Sequence, residues 1–463
     1  MAALIRGGEV ISSAGSAIAD VLVDGEKIAA VGDLEAPAGA EVIDATGRYV
    51  IPGAVDAHTH LDMEVGVTRS ADDFASGTRA AACGGTTTVI DFATAYRGET
   101  AAQGLANWHA KADGRAVVDY AFHMTVTELA VPAPDLVAEM AEAGITSFKL
   151  YMTYPDRLMV PDDVISEMMR AAGPAGTMIS LHCEDDDTIR RLRTKALGDG
   201  HTAPAWHAWS RPPRAEAAAV ARAVRMAEDA GAPCYVVHLS SADALAEVRR
   251  AQERGSPFFA ETCPQYLYLS ADRYEDVPQV AARYVCAPPL RDARHRDELW
   301  EGLTKGWVQV VATDHCPFDS TSKKAGLEGG GWTDFTQIPG GLPGIETRLA
   351  LVYQRVAEGD LTLSGWVDRC CTAPARLFGL HPRKGEIAAG ADADIVIFDP
   401  GAERPLIPER LHMNCDYSVY ENVVVRGWPE RVYSRGRLVA RDGEPCGAPG
   451  WGRYVARGPS GRA

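Results

Sequence analysis

Apolar and polar positions fall into three regimes along the chain. Over the first fifty residues, short β-rich runs (Ala3–Ile5, Val21–Val23, Lys27–Val31, Val42–Ile43, Tyr49–Ile51) are punctuated by Gly7-Gly8, Asp24-Gly25, Gly32-Asp33 and Thr46-Gly47. Such runs bounded by turn residues predict strands. The tail repeats the pattern, with Asp394–Phe398, Glu421–Val425 and Arg431–Tyr433 separated by turns at Gly427 and Asp442-Gly443. Between the two ends, apolar β-rich runs alternate with Ala-rich amphipathic stretches. Thr87–Phe92 follows a helical Ala71–Ala82, and Ser147–Tyr151 follows a helical Pro134–Ala143. Met178–His182, Cys234–His238 and Val308–Asp314 close similar units. Alternation at a spacing of roughly 30 residues argues for a parallel sheet built from strand–helix–strand units. About eight units, with no Gly-x-Gly-x-x-Gly after a strand, fit a (β/α)8 TIM-type barrel better than a doubly wound sheet. The predicted organisation is an α/β chain. Residues 1–52 form the first part of a small β-sandwich domain, 53–383 the barrel, and 384–463 the second part of the sandwich with a C-terminal tail.

Composition narrows the function. The chain has 463 residues, with 46 Lys and Arg against 63 Asp and Glu, a net charge of −17. That acidic balance argues against nucleic acid as a partner, since phosphate binding calls for a basic footprint. The hydrophobic fraction of 46% is ample for a large core. No run of 18 apolar residues predicts a membrane span, and the first residues lack a secretory pattern. Ten cysteines are scattered without a Cys-x-x-Cys pair, so they read as reduced and partly buried rather than as a disulfide framework. A cytoplasmic protein is expected.

Chemistry gathers where the barrel strands end. Val55-Asp56-Ala57-His58-Thr59-His60 places two imidazoles two residues apart, on one face of a strand. Lys149 sits within an apolar strand, where a bare ammonium is costly. His182, His238 and Asp314 each close a strand, and His315 follows. Active sites of barrels are built at the C-terminal ends of strands. Four histidines, an aspartate and a buried lysine at one mouth predict a metal site, with zinc or a neighbouring metal suited to these ligands. The lysine must lose its charge to join it. Reaction with CO2 would make it a carbamate, a carboxylate on a long arm able to bridge two metals. Two metals about 3.5–4 Å apart share a water, lower its pKa and polarise a carbonyl oxygen, an assembly suited to amide hydrolysis.

At this point the residues resemble a family, the cyclic amidohydrolases of the amidohydrolase superfamily, and within it the D-hydantoinase/dihydropyrimidinase branch. The motifs span essentially the whole chain. They include Pro52–Met63, Ala71–Ala82, Gly84–Phe92, Phe148–Tyr154, Ser210–Pro213, His238–Ser241, Glu261–Tyr266, Ala312–Pro317, Pro374–Gly379 and Lys384–Val396. The resemblance implies two divalent ions, zinc first, with manganese or cobalt as alternatives. It implies that His58, His60 and Asp314 hold one ion, that His182 and His238 hold the other, and that Lys149, as N6-carboxylysine, bridges them. Asp314 would be general base and acid, taking a proton from a bridging hydroxide and passing it to the leaving nitrogen. Tyr154 would stabilise the oxyanion. The implied reaction opens a small cyclic amide or diamide, of hydantoin or dihydropyrimidine type, to an N-carbamoyl amino acid. A homotetramer or homodimer is implied as well.

The sequence departs from that branch in three places. Ala287 stands where the branch has a Ser before Pro-Pro, and Gly340 stands for an Asn in an Ile-Pro-Asn-Gly segment. Both contacts to substrate are mostly main-chain, so they are expected to survive. The segment Met63–Arg69 replaces a Pro-Phe-Gly-Gly type sequence, and its Glu64 and Arg69 face either a polar substituent or solvent. Met63, Val65, Leu158 and Met159 are expected to form an apolar lid on the exocyclic substituent. Cys316, beside Asp314, is expected to pack rather than react. The segment Lys323–Trp332 reads equally as a mobile part of the site or as plain surface. Allantoinase and dihydroorotase share the metal ligands. Dihydroorotase-like sequences place Arg at the position of Asp62, allantoinase-like ones have Asn-Glu-Pro-Gly after the histidine pair, and Gln265 favours the hydantoinase side. A non-catalytic dihydropyrimidinase-related scaffold protein would lack ligands that this chain keeps.

Overall fold

The computed structural model describes residues 2–66, 68–328 and 331–461. Val67 of the segment 63–69 and Gly329 and Gly330 of the segment 323–332 lie outside the described residues. Eight parallel strands form the central sheet: Ala54–Thr59, Thr86–Ala95, Asp119–Val126, Ser147–Tyr151, Met178–His182, Cys234–Val236, Phe258–Thr262 and Val310–Val311. Each pairs with the next in chain order. The ring closes where Thr59 bridges His315 in parallel, with His60 N donating to His315 O at 2.9 Å. The barrel expected from the alternation is therefore present. Two of its strands, Asp119–Val126 and Phe258–Thr262, were not singled out by the hydrophobic pattern. Three helices (Asp186–Gly198, Ala205–Ser210, Pro213–Ala230) fill the long interval between the fifth and sixth strands.

Strand positions facing the barrel axis, among them Val55, Ile90, Ala121, Met178, Tyr235 and Val310, share one buried cluster with Phe378 and Val455. These residues lie toward the N-terminal ends of the strands. The C-terminal tail closes that end. Val455 N donates to Tyr120 O at 2.8 Å, and the buried Arg457 bonds to Phe122 O and Ser147 Oγ. The opposite, C-terminal mouth stays open.

The two chain ends meet in a nine-stranded sheet. Ile395–Pro405 pairs antiparallel with Tyr49–Pro52, and Ala2–Ser12 pairs with Tyr49–Pro52 on its other side. A separate apolar cluster, including Ile5, Val21, Ile43, Val50 and Ile395, belongs to this sheet. Buried ion pairs tie it to the barrel. Lys384 Nζ lies 2.6 Å from both Asp119 and Asp394, and Arg435 Nε 3.0 Å from Asp119. Among the described residues no helix is long and apolar enough to cross a membrane.

Candidate active site

The strand ends deliver the expected side chains to the open mouth. His58 Nε2 and His60 Nε2 lie 3.2 Å apart, and each is within 3.2 Å of Asp314 Oδ1 (3.1 and 3.2 Å). These three ligand atoms all lie within 4.8 Å of one another. On the neighbouring strands, His182 Nδ1 and His238 Nε2 are 2.9 Å apart. Lys149 Nζ is fully buried beside them, with no hydrogen-bond partner. It sits 4.8 Å over the Tyr151 ring and 5.2 Å over Phe92.

The local backbone is bent to make this convergence. Tyr154, His238 and Asp314 adopt φ of 68°, 41° and 52°, in the left-handed region that non-glycine residues rarely enter. Strain of this kind, held by surrounding structure, concentrates at functional sites. Asp91 holds the turn after the first strand, accepting from Thr59 Oγ1 and Leu61 N at 2.8 Å and from Trp108 Nε1 at 2.9 Å.

Two carboxylates fix the ring tautomers. Glu261 bonds His58 Nδ1 and also accepts from Tyr235 Oη at 2.9 Å and His238 N at 3.1 Å. Glu184 bonds His182 Nε2 at 2.8 Å and is itself held by Arg211 at 2.5 Å. A ring that gives its proton to a carboxylate presents a lone pair from its other nitrogen. In their neutral forms His58 and His182 thus present lone pairs at Nε2 and Nδ1 toward Asp314 and His238, an arrangement that calls for a positive charge between them, whether a proton or a metal ion. The donor set fits divalent metal.

The electrostatics agree. Burial disfavours charging His58, but the carboxylates of Glu261 and Asp314 outweigh it and raise its pKa to about 9, so the site favours a cation. Burial keeps His60, His182 and His238 below the usual histidine range. Burial would raise Asp314, yet His58 and His60 hold it well below the usual carboxylate range. Burial lowers Lys149 to about 8, against the pull of Asp314 and Glu261. Tyr154 is pushed up to about 12, mainly by burial, so its hydroxyl keeps its proton near neutrality. The Arg211 guanidinium lies 5.3 Å over the Tyr154 ring.

These groups floor a cavity of about 780 Å³. Met63, Val65, Leu158, Tyr154, Ala287, Gly340 and Cys316 line it. Met159, expected in the lid, is not among its lining residues; its backbone pairs with Tyr151 and its N–H bonds to Tyr154 O. Glu64 reaches the cavity, but Arg69 pairs with it at 3.0 Å and with Asp62 at 2.7 Å. The buried Cys316 thiol is raised by burial and by Asp314, which suits packing rather than nucleophilic attack. Glu184, Arg211 and Glu261 were not assigned roles from the sequence. Glu261 stands one residue from the end of its strand, Phe258–Thr262, a signal that could have found it; the Glu184–Arg211 pair has no local signature.

Residues 49–439 match the model of the amidohydrolase family. The chain belongs to that family. Within it, the chain is 45% identical to the D-hydantoinase of Streptomyces coelicolor, over 98% of this chain and 97% of that one. It is 44% identical to the D-hydantoinase of Geobacillus stearothermophilus, over 99% and 97%. The crystal structure of dihydropyrimidinase from Brevibacillus agri NCHU1002 superposes with a TM-score of 0.96 at 42% identity, covering all of both chains. The amidohydrolase family thus accounts for both the barrel and a His/Asp metal-binding group at its mouth.

Proposed function

We propose that this amidohydrolase opens a five- or six-membered cyclic diamide, of hydantoin or dihydropyrimidine type, to an N-carbamoyl amino acid. The observation that carries this reading is Lys149 Nζ, buried and without a partner amid four histidines and Asp314. An amine held near pKa 8 has a neutral fraction that can attack CO2; the new N–C bond forms, one proton is lost, and the lysine becomes an anionic carbamate.

In this reading His58, His60 and Asp314 would hold one divalent ion, His182 and His238 would hold the other, and Lys149, once carboxylated, would serve both; zinc is the first expectation. When bound, such a pair lowers the pKa of water and polarises the scissile carbonyl. The chain's own groups do the rest. Asp314, anionic in this setting, takes the proton of the attacking water and delivers it to the ring nitrogen that leaves. Tyr154, still protonated, donates to the developing oxyanion. Glu261 and Glu184 keep His58 and His182 in their tautomers. The main-chain groups of Ala287 and Gly340 meet the amide edge, and Met63, Val65 and Leu158 face the exocyclic substituent.

Ring opening of hydantoin, dihydrouracil, dihydroorotate and allantoin by the metal-loaded protein tests the reading. Turnover of the first two above the others is expected. Dominant turnover of dihydroorotate or allantoin would overturn the substrate assignment, and a fully metallated protein inert toward all four would overturn the enzyme assignment.

A further inference from the structure

Lys323 is, with Lys149 and Lys384, one of three fully buried lysines among the described residues, and it lies beside the cavity rather than among the metal-ligand candidates. Its backbone belongs to a short 3-10 turn, Ser322–Lys324, in the rim segment whose Ser322 and Lys324 line the mouth. The side chain turns inward. Its ammonium donates to Val285 O at 2.7 Å and to Pro339 O at 2.8 Å. No carboxylate lies within ion-pair distance of it among the described residues, so its burial is compensated by the two main-chain carbonyls and by the Phe318 ring, 5.5 Å beneath the ammonium. An unpaired buried ammonium is costly, and a chain needing only to fill this space would place an apolar side chain there.

The two carbonyls belong to segments that lead straight into the cavity wall. Ala287 follows Val285 by two residues, and Gly340 follows Pro339; both line the cavity. The segments touch. Gly341 N donates to Val285 O at 3.1 Å, and a Cβ on Gly340 would stand 3.7 Å from Ala287 N. Among the described residues the amide N–H and the carbonyl of both Ala287 and Gly340 have no intramolecular partner. They are thus available to a planar amide edge, which needs one donor and one acceptor at a set spacing. A shift of about 1 Å in either segment would spoil that spacing.

We propose that Lys323 is a positioning residue for substrate: its ammonium clamps the 285–287 and 339–341 segments so that their free main-chain groups match the amide edge of the ring. This rests on the reading of the cavity as a cyclic-amide site. It also gives the turn Ser322–Lys324 a role that plain surface does not describe, because it is pinned to the substrate wall through one side chain.

Lys323→Met and Lys323→Gln, metal-loaded, are to be assayed with hydantoin and dihydrouracil, alongside metal content and melting temperature. Because the clamp acts on ground state and transition state alike, Lys323→Met should raise KM about tenfold while kcat stays within about threefold and metal content is unchanged. Lys323→Gln keeps amide donors and should recover most of the KM. A lysine needed only for stability would lower the melting temperature and leave KM alone, and that result overturns the proposal. Metal loss in a folded Lys323→Met does so too, as does a Gln variant no better than Met. If neither variant folds, hydrogen exchange of the metal-loaded wild type decides. A slowly hydrolysed cyclic imide should protect the amides of Ala287 and Gly340, and unchanged exchange at both overturns the clamp. A wild type that opens none of the rings refutes the reading of the site, whereas an active wild type with KM-neutral variants refutes only the clamp.

Discussion

Glu261→Gln probes how much of the metal site is built by residues that never face the cavity. The carboxylate is fully buried and meets three donors: His58 Nδ1, Tyr235 Oη at 2.9 Å and His238 N at 3.1 Å. Glutamine keeps one acceptor oxygen for His58 and His238, and Tyr235 can rotate its hydroxyl to accept from the new amide, so the packing is conserved. What disappears is the negative charge that makes His58 basic. Losing such a partner of a metal-binding histidine typically costs 10–100-fold in metal affinity, or roughly 1.4–2.8 kcal/mol. Glu261→Ala is harsher, since Tyr235 Oη and His238 N–H lose their acceptor at about 1–3 kcal/mol each. Competition of the purified variants against a chromophoric chelator at fixed pH measures the first effect, and thermal melts of the metal-free protein measure the second. The Gln variant should release metal at a chelator concentration at least tenfold lower while its metal-free melt moves little. Wild-type metal affinity in a folded Glu261→Gln protein would refute the reasoning.

Other perturbations address separate parts of the site and fold. Lys149→Ala should lose metal and ring-opening activity, with partial return when a short carboxylic acid such as acetate or propionate is supplied; turnover equal to wild type would exclude a bridging carbamate. Tyr154→Phe should reduce kcat about 10²-fold with a much smaller change in KM, as expected for a donor used in the transition state. Arg435→Met leaves Asp119 buried with only Lys384 to balance it together with Asp394, and should destabilise by about 3–5 kcal/mol, read from denaturant melts. Burial would raise Asp392, but Lys384, Lys27 and Arg383 together outweigh it and hold it at about 2, below its usual value. A depressed carboxylate contributes stability above its unfolded pKa and loses it as pH falls through the folded one. The melting temperature should therefore drop between about pH 4 and pH 2, and Asp392→Asn should flatten that part of the profile.

Much of this molecule is legible from its one-dimensional pattern. Alternating strand and helix periods predict the barrel, because a strand buried on both faces reads as an unbroken apolar run. The pairing of the chain ends follows from β-rich runs too far from the barrel pattern to join it, and Ile395–Pro405 does pair with Tyr49–Pro52. His58, His60, Lys149, His182, His238 and Asp314 stand out because a polar residue within or closing an apolar strand is locally conspicuous. Position at a strand end implies convergence, since the barrel brings all such ends to one mouth.

Only the tertiary structure decides who supports these groups. Glu261 lies 203 residues from His58, Arg211 lies 27 from Glu184, and Lys323 lies 38 from Val285. Each of these contacts joins different strands or loops, at separations that leave no periodic trace. Nothing in the segment beginning at Lys323 decides from sequence between a mobile part of the site and plain surface; Lys323 itself is buried because two main-chain carbonyls from distant segments replace water around its ammonium. Local chemistry thus marks which side chains reach the mouth, whereas the packing of remote segments sets their tautomers, their charges and the spacing of the wall that receives the ring.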